Sequence, residues 1–124
     1  MPMKLLVIVT NERGKVEEVF KEFLEIGVGG ATVIDTQGMA RILYDKNVDK
    51  VPIFGSLKML IDDKYPFNKT IFVVLDDDLV KPAIQAVKRV LGDLTKPNVG
   101  IIFVLPVEYV EGGSLSYCQS DVGL

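Results

Sequence analysis

From Lys4 to Thr10 the chain reads KLLVIVT, apolar at nearly every position, as expected of a strand covered on at least one face. Asn11 and Glu12 follow as helix-start residues. Val16, Val19, Phe20, Phe23 and Leu24 then fall at the spacing of one helical face, with Glu17 and Lys21 four apart on the other. Gly27 is placed to end that helix in the left-handed C′ position, and ATVIDT (Ala31 to Thr36) reads as a β-branched strand.

From Lys69 the same order recurs. KTIFVVL is a strand, and Asp76, Asp77 and Asp78 form an acidic helix start favoured by the helix dipole. Pro82 belongs in a first turn, which puts the start of this helix near Leu79. Val80, Ile84, Val87 and Leu91 make its apolar stripe, Gly92 closes it, and VGIIFVL (Val99 to Leu105) is a strand stopped by Pro106. Two strand–helix–strand units of this kind predict an α+β, ferredoxin-like βαββαβ sandwich: one antiparallel four-stranded sheet with both helices on one face. The apolar runs LLVIV, TIFVV and IIFVL leave a second face that two helices cannot cover. A single domain spanning 1–124 is expected, with its core over 4–107, a long insertion over 38–69 and a flexible glycine- and serine-rich tail over 108–124. Within the insertion, GSLKMLIDDK suggests a short helix capped by Ser56, with Leu57, Leu60 and Ile61 inward.

Composition narrows the chemistry. There is no histidine, which removes Ser-His-Asp and Cys-His triads and the commonest transition-metal ligand, so a non-enzymatic role is expected. The single cysteine, Cys118, excludes an intrachain disulfide. A net charge of −3 and the absence of tryptophan argue against a nucleic-acid binder. No apolar run approaches the ~20 residues of a membrane span, and LLVIV is too short for the core of a secretion signal, so a cytoplasmic location without membrane insertion is expected.

Candidate sites follow from the turns. The GVGG stretch at Gly27–Gly30 follows a helix and opens a strand, the reverse of a phosphate loop, so it reads as a helix stop and turn. Asp76, Asp77 and Asp78, even with Asp62 and Asp63, lack calcium-loop spacing; helix capping accounts for them and no metal is expected. Two segments hold more promise: QGMAR (Gln37 to Arg41) and TKPNVG (Thr95 to Gly100). Each places a cationic donor, Arg41 or Lys96, near a glycine that permits close approach of a phosphate or carboxylate. Ordinary loop chemistry yields the same residues, so on these residues alone both readings stand.

EIGVGGATVIDTQGMAR (Glu25 to Arg41) resembles the helix-exit, second-strand and loop-opening region of the PII-type nitrogen regulatory proteins, and Gly38, Met39, Ala40 and Arg41 match in order the motif that opens that family's long T-loop. VGIIFVLPV (Val99 to Val107) resembles its last core strand, and the doubled layout covers Lys4 to Val107. The resemblance implies a homotrimer for signal transduction in nitrogen regulation, with an adenine nucleotide (AMP, ADP or ATP) in the clefts between subunits. It also implies a T-loop that responds to the ligand and docks on a transporter, enzyme or receptor. The implied ligand-binding residues are Gly38, Met39, Arg41, Lys96, Asn98 and Gly100. The chain departs from the family where PNVGI keeps one glycine and has Ile101 in place of a lysine, and where EYVEGGSLS replaces a basic segment. Neither Tyr44 nor Tyr65 matches the family's modified tyrosine. These departures predict weaker affinity for triphosphates than a standard member has. The alternative is an ion-responsive trimer of the CutA type without nucleotide binding, although such proteins usually use His or Cys ligands that this core lacks.

Overall fold

The computed structural model of the chain describes residues 2–45, 67–113 and 115–118; the expected Ser56-capped helix and Tyr65 lie outside them. Strand β1 (Met3–Thr10) is central, flanked by β3 (Asn68–Asp76) and β4 (Gly100–Val107), and β2 (Thr32–Thr36) lies beyond β3. The antiparallel sheet thus has the order β2-β3-β1-β4. Helices α1 (Val16–Glu25) and α3 (Asp77–Leu91) pack together against it, and a short α2 (Met39–Asp45) follows β2. This is the ferredoxin-like arrangement that the doubled pattern predicts. The tail holds more structure than its composition suggests: β5 (Tyr109–Gly112) and β6 (Leu115–Cys118) pair as a hairpin.

Strand alternation divides the side chains between two faces. Leu6 opposes Val73 and Val104, and Ile8 opposes Ile71 and Ile102, which places these residues on the helix-covered face. Val19 and Phe23 of α1 and Ala83, Ala86, Val87 and Leu91 of α3 complete that core. The two alanines are fully buried, so α3 lies close to the sheet. Val80 and Ile84, read as part of the stripe, are half-buried at its margin, as are Val16 and Phe20. Leu24, also read as inward, is 67% exposed. It lies at the rim of a periodic face too narrow to bury every apolar position.

The helix ends show why the chain turns where it does. Gly27 has φ 96° and its N–H donates to the Leu24 carbonyl, while Val28 N–H donates to Phe23 at 2.9 Å. This is a Schellman motif, closed by burial of Val28 and Phe23 in the same cluster. At the start of α1 a 3-10 turn (Arg13–Lys15) intervenes, so the helix proper begins later than Asn11 and Glu12 suggest. Helix α3 begins at Asp77, directly after β3, and Pro82 sits in its second turn instead of its first. The carbonyl that Pro82 leaves without a helical donor belongs to exposed Asp78, where water can reach it. Asp76 makes no side-chain cap; the Asp77 N–H donates instead to the Pro2 carbonyl at 3.0 Å. Asp77 and Asp78 thus act through the helix dipole. Pro106 lies within β4, not beyond it, which an edge strand tolerates.

The opposite face carries Leu5, Val7 and Val9, with Phe72 and Val74 of β3 and Ile101, Phe103 and Leu105 of β4 beside them. Val7 is buried between its cross-strand neighbours Phe72 and Phe103, but Ile34, Ile101, Phe103 and Leu105 stand between 43% and 56% exposed.

Replacing buried Phe23 by alanine is expected to cost about 3–5 kcal/mol, while Leu24→Ala changes stability by no more than about 0.5 kcal/mol. Denaturant midpoints of the two variants, compared at equal slope, check this assignment of the helix face.

Candidate functional site

The first candidate segment leaves β2 at its C-terminal end. Asp35 faces Lys69 in register and forms an ion pair with it, and the hydroxyls of Thr36 and Thr70 share a hydrogen bond of 2.6 Å. With the strand end fixed in this way, Gly38 opens α2, its carbonyl accepting the Ile42 N–H at 3.1 Å. A Cβ at Gly38 would meet only the Asn68 amide nitrogen, at an ordinary 3.5 Å, so the turn does not demand glycine. Met39 is exposed; Arg41, on α2, is half-buried with its Nε enclosed from solvent. The motif therefore begins as a helix, which the sequence pattern did not suggest.

The second segment joins α3 to β4 and is fastened at both ends. The Asp93 carboxylate accepts the Thr95 hydroxyl at 2.6 Å and the Thr95 N–H at 2.9 Å. Those two hydrogen bonds, the hydroxyl's first, hold the Asp93 pKa below the usual carboxylate value, with Lys88 adding a smaller pull in the same direction. Lys96 is exposed, and Asn98 adopts a left-handed φ of 64°. At the far end the Val99 carbonyl accepts the Thr10 hydroxyl at 2.8 Å and the Asn11 N–H at 3.4 Å. Gly100, at φ 151°, packs so tightly on β1 that a Cβ would lie 2.4 Å from the Val9 carbonyl oxygen. Its clearance is taken up by the protein's own backbone.

The sheet relates the two segments. Asp35, Lys69, Thr10 and Gly100 form one row across all four strands, so Gly38 and the Lys96–Gly100 segment lie at the same end of the sheet. They stand on opposite edge strands, however, three interstrand spacings or about 14 Å apart along that row.

A cleft of about 680 Å³ was not foreseen from the sequence. It runs along the β2–β3 side of the sheet, walled by the Gly27–Thr32 turn, by Phe72, Val74 and Leu79, and by Gly113 and Leu115 of the hairpin. Strand β2 pairs only with Asn68–Phe72 among the described residues, so β3 continues beyond it, and Val74, Leu75 and Asp76 border this space. Gly29 and Gly30 have nothing within 4 Å of an added Cβ. The glycines read as punctuation thus also form a low wall. The mismatch between a five-residue and a nine-residue strand was the available signal, but boundaries that fine are not legible in a hydrophobic pattern. Among the described residues no group of three or more His, Cys, Asp or Glu converges as a metal site.

Gly100→Ala is expected to destabilise the protein by about 1–3 kcal/mol through the clash with Val9, whereas Gly38→Ala stays below about 1 kcal/mol; thermal melts compare them. For Asp93 the sign follows from its lowered pKa. The turn's stabilisation is fully present above the ordinary carboxylate pKa and is lost as pH falls through the depressed one. Measured against its intrinsic rate at each pH, Thr95 amide exchange should therefore quicken as pH falls below the ordinary carboxylate range in the wild type. In Asp93→Ala it should already be fast at neutral pH.

No curated protein matches the chain by sequence. Among solved structures, GlnK of B. subtilis superposes with a TM-score of 0.62 at 18% identity, covering 94% of this chain and 95% of its own. The B. subtilis GlnK–ATP complex gives 0.59 at 22% identity, covering 88% and 84% respectively. A functionally unknown protein from Pediococcus pentosaceus gives 0.57 at 16%, covering 90% and 98%. At these identities the likeness establishes the fold. The profile of the family described as nitrogen regulatory protein P-II matches residues 3–112, nearly the whole of the described fold, and the chain belongs to that regulatory family.

Proposed function

We propose that this protein is a homotrimeric signal-transduction module that binds an adenine nucleotide between subunits and signals to a partner protein through the segment following Arg41. The observation that carries the reading is the placement of the two candidate segments at one end of the sheet but on opposite edges. A neighbouring copy set against either edge completes a cleft that one chain leaves open. The uncovered apolar face supplies the driving force for that assembly: Ile101, Phe103 and Leu105 together with Ile34 are too exposed to leave in water, and a second and third sheet turned inward would bury them.

The cleft beside the Gly27–Thr32 turn suits a nucleotide base. Its walls at Phe72, Val74 and Leu79 are apolar, and backbone groups along the β3 edge are positioned to read polar ring edges. Gly38, Met39 and Arg41 on one side, and Lys96, Asn98 and Gly100 on the other, are the residues we assign to the phosphate-bearing part. Arg41 and Lys96 supply the charge, Asn98 a polar side chain, and Gly100 the tight junction that sets the turn. The ATP complex of a GlnK with the same fold supports the ligand class. Ile101, exposed on the uncovered face, cannot replace a cation, so mono- or diphosphates are favoured over ATP. The role is regulatory and needs no catalytic group; its target is a transporter, enzyme or receptor. No helix among the described residues is long and apolar enough to cross a membrane.

Light scattering at micromolar concentration is expected to give three times the 13.7 kDa chain mass, and Phe103→Glu to dissociate the assembly. Calorimetry with AMP, ADP and ATP should detect binding, with Arg41→Ala weakening the best ligand roughly ten- to a hundredfold, the loss of a charge-assisted hydrogen bond of about 1.5–3 kcal/mol. If none of the three binds at millimolar concentration, the nucleotide reading is wrong.

A further inference from the structure

We propose that Thr10 is a positioning residue for the candidate ligand turn, a role that rests on reading Lys96–Gly100 as part of the ligand site. Thr10 ends the central strand and is 1% exposed, with Thr70 the other buried polar residue among those described. Its hydroxyl is used in both senses. It donates to the Val99 carbonyl at 2.8 Å and accepts the Glu12 N–H at 2.9 Å. One side chain thereby ties the junction leading into α1 to the turn leading into β4, 89 positions apart in the chain. The fit is close, since a Cβ at Gly100 would lie 3.1 Å from the Thr10 Cα and 3.3 Å from its Cβ.

The leverage comes from what lies between the anchors. The Asp93 carboxylate fixes Thr95 at the start of the turn, and Thr10 fixes the Val99 peptide at its end. Only Lys96, Pro97 and Asn98 intervene; Pro97 has its φ set by its ring, and Asn98 is held at φ 64°. The Val99 carbonyl, held by the Thr10 hydroxyl and by the Asn11 N–H, therefore bounds the backbone path through Lys96 and Asn98. A turn held in this way meets its ligand without paying the ordering entropy of a free loop. Thr10 touches no ligand in this scheme; it acts through Val99.

The test compares Thr10→Val, which keeps the shape and removes the hydroxyl, with Thr10→Ser, which keeps the hydroxyl. Amide resonances of Lys96, Asn98 and Gly100 are followed in the ligand-free protein at a temperature where all three proteins are fully folded, and ADP affinity is measured by calorimetry. In Thr10→Val the three resonances are expected to shift or broaden and ADP to bind about tenfold more weakly, with Thr10→Ser restoring both. Unmoved resonances in Thr10→Val, or equal displacement in Thr10→Ser, overturn the assignment, as does wild-type ADP affinity in Thr10→Val. If wild-type protein binds no ADP, the nucleotide reading fails by itself, and the resonances still decide whether Thr10 sets the turn.

Discussion

The structure depends on β1 being paired along its whole length on both sides. Every residue from Met3 to Thr10 has a partner in β3 and another in β4, so one eight-residue strand fixes the register of the central sheet. That position requires apolar side chains at consecutive positions, because the central strand of a sheet has no solvent-facing edge and here little solvent-facing surface. The two helices then dock on the face that carries Leu6 and Ile8, and their own apolar stripes are used up there. The other face inherits the same hydrophobic character, and among the described residues nothing covers most of it. The requirement for a buried central strand thus leaves an exposed apolar face on the other side of the sheet, the face on which the proposed assembly rests.

The same strand carries order to the candidate site. Thr10 is at once the last paired residue of β1, the acceptor for Glu12 and the donor to Val99. Gly100 is bound by this arrangement: the backbone of β4 meets β1 so closely that a methyl group has no room. Flexibility is therefore not the reason for glycine at this position; contact is. At the other edge, Gly38 carries no such constraint, and the strand end before it is secured by Asp35 with Lys69 and by Thr36 with Thr70. The two candidate segments differ in kind, one a locked turn and the other the opening of a helix.

Peripheral contacts matter less. Arg89 reaches Glu22 across the two helices at 2.9 Å, but both side chains are accessible to water, and such pairs contribute at most about 1 kcal/mol. Lys4 and Asp77, 3.9 Å apart, form a weaker pair still. Burial of Phe23, Leu6, Ile8 and Ile71 dominates, and the Schellman turn at Gly27 serves chiefly to direct the chain from α1 into β2 without leaving its last carbonyls bare.

The doubled order of strand, helix and strand was legible because long apolar runs and helical spacing are local properties, and so were the helix stops at Gly27 and Gly92, where a left-handed residue is required. The pairing of Arg41 with a glycine and of Lys96 with another was legible as local chemistry too. What the sequence alone could not fix was everything that depends on neighbours distant in the chain. Leu24 belongs to the helical period yet faces water, because the packing partner and not the period decides where burial ends. Pro82 and Pro106 sit inside elements that a local rule would have ended: the carbonyl that Pro82 leaves unpaired belongs to exposed Asp78, and Pro106 lies on an edge strand. Helix α2 and the β5–β6 hairpin have no strong period of their own. The placement of Gly38 and Gly100 on opposite edges, the cleft at the short end of β2, and the demand for glycine at 100 arise only from strand order and register, which bring together backbones that the sequence keeps some 90 residues apart.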